Sequence, residues 1–206
     1  MATIGELIKN ADSSVDIGIV IDESGSMESM KDIVIKCFND FVKEQRQEGD
    51  DAYITLTKFA NYVDIIRKRD SISSVKKIDN SSYNPMGCTA LYDGIYQTIK
   101  EIESKNKNNK VIVAIITDGY ENASKKCSLS ELKEIIKQKE KLGWKFLFLA
   151  SNIDAKATAG SFGIDTNNTV QFAATIDGYS EMNKSLTSSI TCYRNAVRNL
   201  ASEIQI

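Results

Sequence analysis

The chain has 206 residues, 42% of them hydrophobic, which is enough to bury a proper core as one domain. Its 26 basic and 28 acidic side chains leave a net charge of −2, so it offers no electrostatic footprint for nucleic acid or an anionic membrane. No apolar stretch approaches the roughly 20 residues that a membrane-spanning helix needs, and the absence of histidine removes Ser-His and Cys-His catalysis.

Residues 1–14 read as an N-terminal extension without the basic-then-apolar pattern of a secretory signal, so a cytoplasmic location is expected. The first strand is the apolar run Val15 to Ile21, which ends directly on Asp22. Glu23-Ser24-Gly25-Ser26 follows, a short loop in which glycine permits a tight turn and two hydroxyls stand at alternate positions. Asp22, Ser24 and Ser26 together offer one anionic and two neutral oxygens, a set suited to a hard divalent cation rather than to zinc or copper. Met30, Ile33, Val34, Cys37, Phe38 and Phe41 then keep helical spacing, with Cys37 as a small buried hydrophobe.

Ala52 to Phe59 and Tyr62 to Lys68 read as two strands of a hairpin joined through Ala60-Asn61. Gly87-Cys88-Thr89-Ala90-Leu91 is a glycine-containing loop that places Thr89 at the start of a helix striped by Leu91, Ile95, Thr98, Ile99 and Ile102. Lys110 to Thr117 is another apolar strand, ending on Asp118-Gly119. Ser128 and Glu131 form a capping-box signature ahead of a helix with Leu132, Ile135, Ile136 and Leu142, stopped by Gly143. Trp144 to Ala150 is a strand, Asp154 to Ser161 a short helix, and Thr169 to Phe172 a short last strand. Residues 177–204 close the chain as a long helix whose buried face carries Met182, Leu186, Ile190, Tyr193, Val197, Leu200 and Ile204.

Strands alternating with helices predict an α/β, doubly wound, mostly parallel sheet with helices on both faces, and the hairpin adds one antiparallel edge strand. In such sheets ligands bind beyond the carboxyl ends of the strands, where the winding direction reverses. Asp22 and Asp118 both lie at strand carboxyl ends. The scattered cysteines Cys37, Cys88, Cys127 and Cys192 form no Cys-x-x-Cys pair, so free thiols are expected.

The sequence Asp22-x-Ser24-x-Ser26, the downstream Thr89 and the later Asp118-Gly119 occur in an order that resembles the von Willebrand factor A domain family and its metal-ion-dependent adhesion site (MIDAS). The likeness runs from about Val15 to Phe172. It implies a Rossmann-like, six-stranded sheet in the order 3-2-1-4-5-6, and a Mg²⁺-like ion, with Mn²⁺ or Ca²⁺ as substitutes, surrounded by Asp22, Ser24, Ser26, Thr89 and Asp118. By the same resemblance the carboxylates act partly through water, Thr89 acts directly or through water, and one position is left for an Asp or Glu of a partner protein. The function implied is a metal-dependent protein-binding module, an intracellular adaptor or assembly factor. Glu23 and Glu28 are read as solvent-facing rim residues, and Tyr120 and Glu121 as rim residues placed to touch a partner.

Two other functions stay open at this stage. A strand ending in Asp at the lip of a parallel sheet also describes phosphoryl-transfer enzymes with an aspartate nucleophile, but Ser24 stands where those carry a second acid. A scaffold domain in which the ion merely ties loops together is the other, and it differs in having its coordination completed by the chain itself.

Overall fold

The computed structural model describes residues 14–49, 51–106 and 110–203, so most of the N-terminal extension and Ile204 lie outside the described residues. Strand β1 (Val15–Asp22) is buried along its whole length, as is β4 (Val111–Thr117). Both are nearly continuous apolar runs because each is covered on two faces. The six strands stand in the order β3-β2-β1-β4-β5-β6, where β2 is Ala52–Phe59, β3 Val63–Ser71, β5 Lys145–Ala150 and β6 Thr169–Gln171. Every neighbouring pair is parallel except the hairpin of β2 and β3 at one edge.

Among the described residues five α-helices cover the sheet: α1 (Lys31–Gln47), α2 (Leu91–Lys105), α3 (Leu129–Lys141), α4 (Ala155–Phe162) and α5 (Ile176–Glu203). A short 3₁₀ turn, Gly25–Met30, precedes α1. The alternation of β1 divides the core in two. Ile17, Ile19 and Ile21 pack with Phe38 and Phe41 of α1 and with Met182, Leu186 and Ile190 of α5. Val20 faces the other side, where Ile95 and Ile99 of α2 meet Val113, Phe146 and Phe148. The capping box of α3 forms as its sequence demands: Ser128 Oγ accepts from Glu131 N, and the Glu131 carboxylate accepts from Ser128 N.

Two apolar residues leave the stripes their spacing predicts. Leu142 is 51% exposed because α3 has already ended, and the chain turns there toward β5. Leu200 is 61% exposed although Val197 is buried. At this level α5 passes the end of α1, where Arg194 donates to Gln45 O at 2.7 Å and to the Asp51 carboxylate at 2.5 Å. Arg198 also grips Asp51, at 2.7 Å, and beyond these arginines α5 has no further α1 surface to cover. All four cysteines are free; Cys37 is buried against α5 and Cys88 is exposed. No helix among the described residues is long and apolar enough to cross a membrane.

Helix α2 approaches the sheet closely at Gly94, where an added Cβ would lie 2.9 Å from the ring of Phe59. Phe59 is fully buried and cannot step aside without disturbing β2. Gly94→Ala should therefore destabilise the protein by about 1–3 kcal/mol despite alanine's better helix propensity. Equilibrium urea unfolding checks this, and a variant as stable as the parent would show that the contact is slack.

Candidate functional site

Because β1 and β4 are parallel neighbours with Ile21 opposite Ile116, the residues just beyond them emerge side by side at the carboxyl end of the sheet. Asp22 ends β1 and is fully buried. Its Oδ1 accepts from Ser24 N at 2.7 Å, and its Oδ2 accepts from Thr117 Oγ1 at 2.5 Å. Tyr83 fixes the backbone from below, donating its hydroxyl to Asp22 O at 2.7 Å.

Ser26 Oγ donates to Asp118 Oδ1 at 2.6 Å and lies 3.1 Å from Ser24 Oγ. Asp22, Ser24, Ser26 and Asp118 are thus joined in one hydrogen-bonded chain. Thr89 reaches the same place from the loop before α2: its Oγ1 is 3.5 Å from where a Cβ on Gly119 would sit, next to Asp118. The five residues singled out in the sequence are therefore brought together from three loops. Ser26 is exposed and the other four are buried.

No Lys or Arg among the described residues forms an ion pair with Asp22 or Asp118. Burial pushes the Asp22 carboxyl up from its ordinary 3.8 to about 6, against the hydrogen bonds of Ser24 and Thr117 that favour the anion, and the charge of Asp118 pushes the same way as burial. Asp118 is raised too, by burial, with the Ser26 hydroxyl partly opposing. Two acids held close in a poorly solvated place, with hydroxyls beside them and no cationic side chain, suit an added cation. All the donor atoms are hard oxygens, which fits Mg²⁺, Mn²⁺ or Ca²⁺. No group of three or more His, Cys, Asp or Glu side chains converges anywhere among the described residues, so an ion here would rest on hydroxyls as much as on acids.

Glu23 is a correction to the sequence reading. It is fully buried, not a rim residue, since its carboxylate accepts from Lys58 Nζ at 3.1 Å, Tyr62 Oη at 2.9 Å and Asn84 N at 2.5 Å. One acid thereby ties the end of β1 to the β2–β3 hairpin and to the loop that carries Thr89. Glu28 is exposed. Tyr120 is 60% exposed on the rim, but Glu121 beside it is committed to its own loop and to the start of α2. The Glu121 carboxylate accepts from Tyr92 N at 3.0 Å, Ala123 N at 2.8 Å and Ser124 N at 2.6 Å. Asp93 continues the stitching by accepting from Lys125 N, Lys126 N and Cys127 N, each at 2.9 Å. Sequence reasoning missed Thr117, Tyr83 and Asp93, each of which acts across a long gap in sequence and carries no local signature.

The sequence model of the von Willebrand factor type A domain matches residues 16–191. The chain belongs to that family. Solved structures with the same fold include the PilB minor pilin from Streptococcus sanguinis, with a TM-score of 0.65 at 13% identity over 86% of this chain and 61% of the pilin. Proximal thread matrix protein 1 from the mussel byssus, in a structure described as having a zinc-occupied MIDAS motif, gives 0.66 at 16% identity over 86% of this chain and 46% of its own. The vWF domain of the type V pili tip protein Mfa5 from Porphyromonas gingivalis gives 0.60 at 10% identity, over 86% of this chain and 96% of that one. The chain spans less than two thirds of the pilin and under half of the byssus protein. At these identities the likeness is one of fold. No curated protein matches the sequence.

The electrostatics of this von Willebrand factor type A domain give a signed prediction. The Asp22 carboxyl titrates near 6 in the folded chain and near 3.8 when unfolded, so between those values the folded state binds more protons. Its contribution to stability is present below the unfolded value and is lost as pH rises through the folded one. Metal-free protein should therefore lose about 2 kcal/mol between pH ~4 and pH ~7 from this group. Asp22→Asn should flatten that part of the profile. Chemical denaturation in chelator at several pH values measures it, and an unchanged slope in the variant would contradict the assignment.

Proposed function

We propose that this domain is a divalent-metal-dependent protein-binding module in which Asp22, Ser24, Ser26, Thr89 and Asp118 hold the ion, directly or through water. The observation that carries the reading is the meeting of two buried carboxyls, without an ion pair among the described residues, with three hydroxyls at the ends of adjacent parallel strands. Von Willebrand factor type A domains commonly mediate protein–protein binding, and one structural neighbour is described with zinc at its MIDAS motif. The all-oxygen set here favours Mg²⁺ or Mn²⁺ as the resident ion.

The ion would supply an electrophilic centre that only two carboxylates of the chain offset. Asp22 is held rigidly by Ser24 N and Thr117 Oγ1, so its carboxylate stays aimed at the site. Ser26, the exposed member, stands on the solvent side beside Asp118 and leaves that side open. A partner's Asp or Glu fits this opening, since it brings both charge and a ligand oxygen, with Tyr120 on the rim contributing selectivity. Binding of this kind makes no covalent change. An aspartate-nucleophile enzyme would need a second acid two residues after Asp22, and Ser24 stands there. Four unpaired cysteines suit a reducing compartment and support an intracellular adaptor or assembly role.

Calorimetric titration of the full chain with Mg²⁺, Mn²⁺, Ca²⁺ and Zn²⁺ tests the reading. One ion per chain is expected, lost in Asp118→Ala while the fold persists. Proteins captured from the native host should elute with chelator, and a single acid-to-amide change in the captured partner should weaken binding by at least about tenfold, the effect of about 1.4 kcal/mol. Metal-dependent turnover of a phosphomonoester would favour the enzyme reading instead. Capture that survives excess chelator would place recognition on another surface.

A further inference from the structure

The loop carrying Thr89 has no regular structure of its own, yet it is pinned at nearly every peptide. Met86 N donates to Glu23 O at 2.8 Å, Gly25 N to Gly87 O at 3.1 Å, and Ala90 N to Ala60 O at 2.8 Å. Between these anchors the consecutive amides of Cys88 and Thr89 are each received by an asparagine from a different loop. Cys88 N donates to Asn61 Oδ1 at 2.7 Å, and Thr89 N donates to Asn122 Oδ1 at 2.8 Å. Asn122 also returns its own N–H to Thr89 O at 3.0 Å, so one residue grips Thr89 on both sides of its Cα.

The Asn61 side chain also lies against Gly87, the residue before Cys88. Gly87 has φ +78, and a Cβ there would come within 2.8 Å of Asn61 Nδ2. A glycine is required at this position both for its backbone and for the space. Both asparagines are exposed, and neither belongs to the five-residue set. Asn61 stands in the turn between β2 and β3, and Asn122 three residues after Thr89's neighbour Gly119. The height of the Thr89 hydroxyl over Gly119 is thus set by two side chains from opposite flanks of the site.

We infer that Asn61 and Asn122 are positioning residues, which clamp the backbone of Cys88 and Thr89 so that the Thr89 hydroxyl is held beside Asp118 for the ion. This rests on the metal-binding reading above and deepens it. A clamp of this type matters because partners behind a metal ligand typically change affinity about 10- to 100-fold when removed. It also makes the Thr89 loop and the Asp118 loop move as one piece. Only the acceptor oxygen of each side chain is used, which makes aspartate the conservative replacement and alanine the disruptive one.

The test is Mn²⁺ titration of the full chain, paired with hydrogen exchange at the Thr89 amide in metal-free protein. Asn122→Ala should bind Mn²⁺ about 10- to 100-fold more weakly, melt within a few degrees of the parent, and exchange the Thr89 amide faster. Asn122→Asp should restore slow exchange, a readout that its extra charge near the ion does not confound. Asn61→Ala should weaken Mn²⁺ binding in the same direction, with faster exchange at Cys88. Parental Mn²⁺ affinity in both alanine variants overturns the inference, as does an unchanged Thr89 exchange rate in Asn122→Ala. A parent chain that binds no divalent ion overturns the metal reading itself. In that case the clamp is still upheld by faster Thr89 exchange in Asn122→Ala, or overturned by its absence.

Discussion

Two carboxylates, Asp22 and Asp118, stand together at the top of the sheet with no Lys or Arg among the described residues paired to them, and much of the surrounding architecture serves to keep them there. Like charges at short range in a poorly solvated place repel, so the chain has to hold them by other means. It does so with the parallel register of β1 and β4, with Thr117 and Ser24 on Asp22, and with Ser26 on Asp118. Burial, and to a lesser degree the charge of Asp118, raises the Asp22 carboxyl, which records what keeping it there costs the ion-free protein. On the reading proposed, an added cation would offset the cost of burying the Asp22 charge together with the smaller repulsion from Asp118.

The acids just outside this pair are treated in the opposite way. Glu23, adjacent to Asp22 in sequence, is fully buried but satisfied by Lys58, Tyr62 and the Asn84 amide. Glu121 is satisfied by Tyr92 N of α2 and by amides of the loop after β4, and Asp93 of α2 by amides of that same loop. Glu23 ties loops to one another, whereas Glu121 and Asp93 tie the loop after β4 to the start of α2, and the result is a rim held by side-chain hydrogen bonds. Asn61 and Asn122 complete it where the Thr89 loop would otherwise be loose. Within a few residues, carboxylates therefore divide into those left unpaired and those spent on scaffolding.

Much of this was legible in the sequence. The apolar runs of β1 and β4 announce doubly covered strands, the Ser128–Glu131 pair fixes the start of α3, and Asp22, Ser24, Ser26, Thr89 and Asp118 follow a recognisable order. The strand order came from the family likeness, since alternation alone permits several windings. What was not legible depends on tertiary neighbours. Glu23 looked like a rim acid because Lys58 and Tyr62 are about 35 to 39 residues away, and nothing local marks that pairing. Leu142 and Leu200 fit their helical stripes, but the stripe does not reveal where the neighbouring element ends. Asn61 and Asn122 look like ordinary loop residues, because the amides they receive belong to a loop distant in the chain.

The proposed function requires that the Asp22–Asp118 pair be a cation site. A crystal structure of the full chain grown with Mn²⁺ tests it most directly, through the anomalous signal of the ion. The expected result is a single peak enclosed by Asp22, Ser24, Ser26 and Asp118, with ligand oxygens about 2.0–2.3 Å away, in the range between Mg²⁺ and Ca²⁺, and Thr89 bound directly or through a water. A peak elsewhere, or none at this position in millimolar Mn²⁺ with the two carboxylates still converging, would contradict it.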